Sequence, residues 1–252
     1  MTTKTQIEWT EQTWNPTTGC TKVSAGCKNC YAAVMAKRLK AMGTNGYQNG
    51  FELSLLPERL NQPIKRKKPT TYFVNSMSDL FHEDIPFSFI DKVFDVIRQT
   101  PHHRYQILTK RENRIFAYFK NTKVPDNVWL GVSVENIQEG LPRMEVLKKI
   151  PAKIRFLSIE PLLEDLGEVD FSDIHWVIVG GESGSKARPM KEPWVLNIQA
   201  QCEEQNVAFF FKQWGTWGAD GIKRNKHKNG KLLNNKVHHT YPISLVKSVM
   251  VE

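Results

Sequence analysis

Three of the four cysteines in the chain, Cys20, Cys27 and Cys30, lie within the stretch WNPTTGCTKVSAGCKNCYA (residues 14–32). A dense cluster with an odd number of thiols suits metal or redox ligation better than disulfide pairing. A closed structural zinc site takes four ligands, so three thiolates leave a coordination position open on a metal ion or cluster. In a [4Fe-4S] cluster held by three cysteines, that opening is one iron able to bind substrate or cofactor. Gly19 and Gly26 permit close backbone approach and positive φ, and Pro16 with the paired threonines supplies a turn. Cys202 falls instead on the apolar stripe of a helix with Val195, Leu196 and Ile198, where a small buried hydrophobe is expected. His82, just past a strand end, is a possible fourth ligand whose plainer reading is a loop residue.

The elements that must position these groups are legible as short β-like runs with abrupt polar ends, separated by helix-length amphipathic segments. The runs are residues 71–79, 104–111, 128–136, 154–162, 175–184 and 207–215, preceded by a first strand just before Cys20. Segments 87–100 and 193–205 carry apolar residues three and four apart and supply helices. This alternation predicts an α/β fold, a partial (β/α) barrel with about six to seven parallel strands, with an open doubly wound sheet as its competitor. In either fold the functional groups collect at the C-terminal edge of the sheet. The strand ends there are polar: Asn75, Ser76, Ser78 and Asp79; Thr109, Lys110 and Arg111; Ser133 and Glu135; Ser158 and Glu160; Gly180, Gly181, Glu182 and Ser183; Lys212 and Gln213. Residues 40–70, rich in Gly and Pro, read as an insertion in a barrel domain of residues 1–218. Residues 219–252 read as a basic C-terminal extension that begins with a hairpin or flap.

Composition bounds the partners. The 252 residues are 40% hydrophobic and 24% charged, which is ordinary for a globular chain. The N-terminus lacks a basic start followed by an apolar run, and no stretch approaches eighteen apolar residues, so a cytoplasmic protein is expected. A net charge of +9 favours a polyanionic partner. Lys65, Arg66, Lys67 and Lys68 form one basic run. Lys223, Arg224, Lys226, Lys228, Lys231 and Lys236 form another, across 223–236. The alternative for each is a solvated basic surface.

The C-x6-C-x2-C spacing after the first strand resembles a variant of the radical S-adenosylmethionine superfamily. The commonest spacing there is C-x3-C-x2-C, with an aromatic residue where this chain has Asn29; Tyr31 is the candidate to supply that ring. More closely, WNPTTGCTKVSAGCKNCYA, NSMSDLF, SVEN, LSIEPLL, IVGGESG and KQWG are similar, in sequence and order, to a three-Cys family of radical-SAM-like gene products of phages and mobile elements. The resemblance runs from about Trp9 to Gly218.

The resemblance implies that Cys20, Cys27 and Cys30 bind a [4Fe-4S] cluster whose open iron chelates S-adenosyl-L-methionine. A reductant then drives cleavage of the sulfonium to a 5′-deoxyadenosyl radical. By position, Asn75, Ser76 and Met77 would line the methionine side of the cofactor. Ser133 and Glu135 would meet the ribose hydroxyls, and Gly180 and Gly181 would let the adenine or ribose approach the backbone. Lys110, Glu160 and Glu182 would face the middle of the mouth as catalytic groups, the alternative for the glutamates being ion pairs with Lys110 or Arg155. Phage occurrence, charge, and Trp214 and Trp217 beside the second basic run point to a nucleic-acid substrate and to base modification or lesion repair, although both tryptophans equally suit packing. The rival reading is a non-enzymatic nucleic-acid-binding protein in which the cysteines hold zinc.

Overall fold

The computed structural model describes residue 5 and residues 7–242. Each β-branched run becomes a strand and each amphipathic segment a helix. The chain passes through β1 (Gln12–Trp14), β2 (Thr17–Thr18), α1 (Tyr31–Ala41), β3 (Ser54–Leu55), β4 (Thr71–Val74) and α2 (Phe87–Gln99). It continues through β5 (Arg104–Thr109), α3 (Glu112–Phe119), β6 (Val128–Ser133), α4 (Ile137–Lys148) and β7 (Ile154–Ile159). The last elements are β8 (Trp176–Gly180), α5 (Glu192–Glu204), β9 (Ala208–Gln213) and the short α6 (Lys226–Asn229). Seven of the strands form one parallel sheet in the order β1-β4-β5-β6-β7-β8-β9. Strand order never reverses, so the sheet has no topological switch point. This is the winding of a partial (β/α) barrel, as the sequence leads one to expect, and it excludes the doubly wound alternative.

The chain divides into two compact units, residues 1–131 with 149–153, and residues 132–148 with 154–252. In the first, the parallel register aligns Gln12 with Tyr72 and Tyr72 with Tyr105. One sheet face therefore carries a column of rings: Tyr72 stacks on Tyr105 at 5.6 Å, and Trp14 lies 5.6 Å from Tyr105. Helix α2 buries Phe89, Ile90, Val93, Phe94, Val96 and Ile97, the stripe its spacing predicts. Phe94 packs at 5.3 Å against both Tyr118 and Phe119 of α3. The segment 40–70 is not merely laid over the fold. Its β3 pairs antiparallel with β2, and the Phe51 carbonyl accepts the Cys20 amide at 3.1 Å.

In the second unit β8 is buried at every position, as parallel strands covered on both faces are. Helix α5 buries Val195, Ile198 and Cys202, and Cys202 is a core residue as expected. Past β9 the chain returns along its free side. The Phe211 amide donates to the His238 carbonyl at 2.8 Å and the Thr240 amide to Phe209 at 3.0 Å, while His239 stacks on Phe210 at 4.1 Å. Pairing of this kind removes an exposed strand edge. Residues 243–252 of the expected extension lie outside the described residues. Among the described residues, no helix is long and apolar enough to cross a membrane.

Two outcomes follow from this packing. Phe94→Ala empties the contact between α2 and α3 and is expected to cost about 3–5 kcal/mol in urea unfolding. His82, His103 and His175 are each held below the ordinary imidazole value of 6.5, first by burial. Below that pH the unfolded chain therefore binds more protons than the native one, and stability falls as pH drops through 6.5. Thermal unfolding should show a lower midpoint at about pH 5.5 than at about pH 7.5. His103→Asn, which keeps a donor for the Pro63 carbonyl that His103 Nε2 meets at 3.1 Å, should narrow the difference.

Candidate functional site

The loop that carries the thiols begins at a position only glycine fits. Gly19 has φ of +81°, and a Cβ there would fall on the Glu52 carbonyl oxygen. Its amide donates to the Met77 carbonyl at 3.1 Å, and it bridges to Ser78 just beyond the end of β4. Gly26 lies inside a 3-10 turn, Ala25–Cys27, and is not among the positive-φ glycines. Cys30 then caps α1. All three cysteines are half-buried. The Cys20 thiol is pushed up to about 12, chiefly by burial and then by Asp79, with Cys27 and Cys30 adding and Arg111 opposing. Among the described residues, no group of three or more His, Cys, Asp or Glu side chains converges to hold a single metal ion. Ligands of one ion must meet at a point, whereas cysteines at separate corners of an iron–sulfur cluster bind different irons and stand further apart.

A buried ionic network holds this loop against β4 and β5. The Asp79 carboxylate accepts from the Phe81 amide at 3.0 Å, Thr109 Oγ1 at 2.7 Å and the Lys110 amide at 3.0 Å. Arg111, 5% exposed, reaches Asp79 at 3.5 Å and Glu83 at 2.7 Å. Its Nη2 donates to Thr21 Oγ1 at 2.8 Å, on the residue that follows Cys20. His82 is buried on the same spot. Its Nδ1 accepts the Asp84 amide at 3.2 Å, so the proton is on Nε2, which donates to Thr21 Oγ1 at 2.9 Å. His82 therefore positions the loop and belongs to no ligand group of the cysteines.

Tyr31, Asn75, Ser76 and Met77 come together beside the cysteine loop. Asn75 adopts φ of +59°, and its Nδ2 donates to Thr17 Oγ1 at 3.0 Å. Its Oδ1 is buried and has no partner in the protein. Such an acceptor calls for a donor from outside the chain. Asn15 Oδ1 accepts from Ser76 Oγ at 3.2 Å and from the Met77 amide at 3.3 Å, while the Ser76 carbonyl accepts the Tyr31 hydroxyl. The Met77 side chain packs on Ala32, Ala36 and Tyr47, next to Cys30. The donor set is soft thiolate and the orphan acceptor lies beside it, so the residues present fit a cluster with a bound amine-bearing cofactor. Asn15 escaped the sequence reading, although it ends β1 much as Asn75 ends β4.

In the second unit the acidic strand ends are already engaged. Glu135, fully buried, accepts from Arg143 at 2.8 Å, and the same guanidinium nitrogen donates to the Ser133 carbonyl at 3.2 Å. Glu182 takes Arg188 through its amide at 2.8 Å and two guanidinium nitrogens at 3.0 and 2.6 Å. Glu160 pairs with Lys212 at 2.8 Å. The ion-pair partners of Glu160 and Glu182 are thus Lys212 and Arg188, and Arg155 bonds Asp173 instead. Gly180 leaves room for the Glu160 carboxylate, and a Cβ on Gly181 would fall on the Trp214 carbonyl oxygen. Both glycines therefore have a reason within the protein. Trp214 is 2% exposed and packs on Phe211, which removes it as a stacking platform. Trp217 donates to the Ala187 carbonyl at 2.7 Å. Lys65, Lys67 and Lys68 are exposed in the first unit, and Lys223, Lys226, Lys228 and Lys236 in the second, where Arg224 is paired with Asp220 at 2.6 Å.

Arg111→Ala leaves the Asp79 carboxylate buried without its cation and should cost about 3–5 kcal/mol in chemical denaturation. The two adjacent glycines should separate in thermal unfolding. Gly181→Ala, which strikes backbone, should be severely destabilising, and Gly180→Ala, which strikes the end of a flexible side chain, mild.

Solved structures similar to this chain include spore photoproduct lyase complexed with dinucleoside spore photoproduct (13% identity, TM-score 0.48, 81% of this chain and 64% of that one). A variant of that lyase with bound AdoMet and dinucleoside spore photoproduct aligns at 15% identity and a TM-score of 0.47, over 81% and 64% of the two chains. Another variant aligns at 14% and 0.48, over 99% and 73%. In the first two the chain spans a little under two thirds of the lyase. No curated protein matches it. Residues 4–242 match the family described as "Protein of unknown function (DUF5131)", and the chain belongs to that family.

Proposed function

We propose that this protein is a radical S-adenosylmethionine enzyme acting on a nucleic acid, as a base-modifying or lesion-repair catalyst. The observation that carries the reading is the loop of Cys20, Cys27 and Cys30. It is bound to the segment just past the C-terminal end of β4, and an unpartnered acceptor on Asn75 lies beside it. Cys20, Cys27 and Cys30 would hold the [4Fe-4S] cluster. With S-adenosylmethionine at its open iron, the group supplies one-electron cleavage of the sulfonium to a 5′-deoxyadenosyl radical. The protein's own part is to seat, orient and exclude water. Asn75 Oδ1 offers an acceptor for the cofactor's amino group. Tyr31, held through its hydroxyl on Ser76, offers a ring at the mouth of the loop. Ser133, Glu135, Gly180 and Gly181 are proposed for the nucleoside side, with Glu135 oriented by Arg143. Lys110, Glu160 and Glu182 are proposed as the groups that handle substrate protons.

The exposed lysines of 65–68 and 223–236 support a polyanionic substrate, since each phosphate contact releases counterions. The zinc reading is separated from this one by a single preparation. Anaerobic reconstitution with iron and sulfide should give a broad absorbance in the visible blue. Dithionite and S-adenosylmethionine should then release 5′-deoxyadenosine, and Cys27→Ala should abolish both. Stoichiometric zinc without cofactor cleavage would overturn the proposal. Nucleic-acid binding is tested by anisotropy with labelled DNA and RNA across a salt series. Replacing Lys223, Lys226 and Lys228 by Glu should weaken binding and flatten the salt slope by about 0.7–0.9 per lost phosphate contact.

A further inference from the structure

Helix α1 carries apolar residues on two faces, and only one of them is packed. Ala32, Ala36 and Leu39 meet Met77, Tyr47 and Phe51. Successive residues of a helix turn by about 100°. On that wheel Val34, Met35, Arg38 and the C-cap Met42 share one arc with Tyr31 inside it, centred about 110° round from Ala32, Ala36 and Leu39. That arc faces solvent: Val34 is 54% exposed, Met35 42% and Met42 75%. Apolar side chains exposed side by side in this way offer a surface that a partner could cover.

The charge around the arc says what kind of partner fits. From Gln12 to Phe51 the sequence contains no Asp or Glu. Over the same span Lys22, Lys28, Lys37, Arg38 and Lys40 are all exposed. An apolar centre containing methionine, ringed by cations, is the anatomy of a protein–protein interface with an acidic partner. A nucleic acid would use the rim but leave the methionines and valine without an apolar counterpart. Position narrows the partner further. Tyr31 follows Cys30 directly, and Val34 lies only ~6 Å beyond Cys30 along the helix axis. A protein seated on the N-terminal end of this arc comes within about a helix diameter of Cys30, which itself packs on the inner side with Ala32 and Ala36.

We infer that the outer face of α1 docks a small acidic one-electron carrier protein that reduces the cysteine site. The inference rests on the reading of Cys20, Cys27 and Cys30 as cluster ligands, but the docking step does not need the cluster. With a flavodoxin as carrier, the anionic flavin hydroquinone loses one electron and becomes the neutral flavin radical. The oxidised cluster gains that electron, and no bond is made or broken and no proton moves.

The probe is flavodoxin, with Val34→Glu/Met35→Glu and, separately, Arg38→Glu as variants; all three positions are solvent-exposed. Calorimetric titration of oxidised flavodoxin into the cluster-free protein should show binding that weakens with added salt. Each variant should weaken it at least about tenfold. With reconstituted protein, reduction by flavodoxin hydroquinone should slow by a similar factor in the variants, while reduction by dithionite, which needs no docking, should be unchanged. No binding by the wild-type chain at low salt, or equal binding and equal carrier-driven rates in the variants, would overturn the inference. So would a wild-type dimer that the Val34→Glu/Met35→Glu variant dissolves, or a DNA duplex that displaces flavodoxin from the wild-type chain. If dithionite and S-adenosylmethionine yield no 5′-deoxyadenosine, the cluster reading fails. The calorimetric result then still reports on the face itself.

Discussion

The buried guanidinium of Arg111 is the constraint on which the cysteine region rests. A loop of small and polar residues has little apolar surface with which to fix itself. Here the fixing is ionic: Asp79 is locked by two backbone amides and a threonine hydroxyl, Arg111 is held by Asp79 and Glu83, and Thr21 is held by Arg111 and His82. Asp79, Arg111 and His82 are nearly desolvated, so each needs the others. The result is that the residue next to Cys20 has a defined place even though its own side chain is exposed. The thiols are presented on a loop that is polar in sequence and rigid in consequence.

Much of the architecture was legible because it depends on local pattern. β-Branched runs ending in polar residues became β4 to β9, and the three-four spacing of residues 87–100 became the buried face of α2. The cysteine cluster was legible because three thiols in so short a span have few other uses. Pairings across the fold were not. Arg143 reaches Glu135 from eight residues away and Arg188 reaches Glu182 from six, yet nothing in either spacing distinguishes them from the many arginines facing solvent. Asp79 and Arg111 were visible as polar strand ends, but their joint grip on Thr21 depends on the register of two strands. Trp214 was open to either reading, since a tryptophan flanked by a glycine beside a basic run suits a ligand platform as well as packing, and its burial decides for packing.

The glycines at the strand ends of the second unit serve contact between backbones. Gly181 lies against the Trp214 carbonyl, and Gly215, with φ of +83°, lies against the Glu182 carbonyl. The loops leaving β8 and β9 can approach only because both sides lack a Cβ. That approach sets Glu182 at the end of β8, where Arg188 closes around it. The IVGGESG and KQWG segments thus read as two halves of one packing arrangement, with the acidic residue as what it delivers.

The cysteine loop has a further property that lies in its main chain. The Cys20 amide is committed to the Phe51 carbonyl and the Cys27 amide to the Ser24 carbonyl. Those two N–H groups are therefore turned away from sulfur. In iron–sulfur proteins, hydrogen bonds to the sulfurs are among the factors that set the reduction potential, and they favour the more negative reduced state. On the proposed reading these two amides would give a cluster none of that help, and Ser24 Oγ, 3.7 Å from Cys27 Sγ, would be left to supply it.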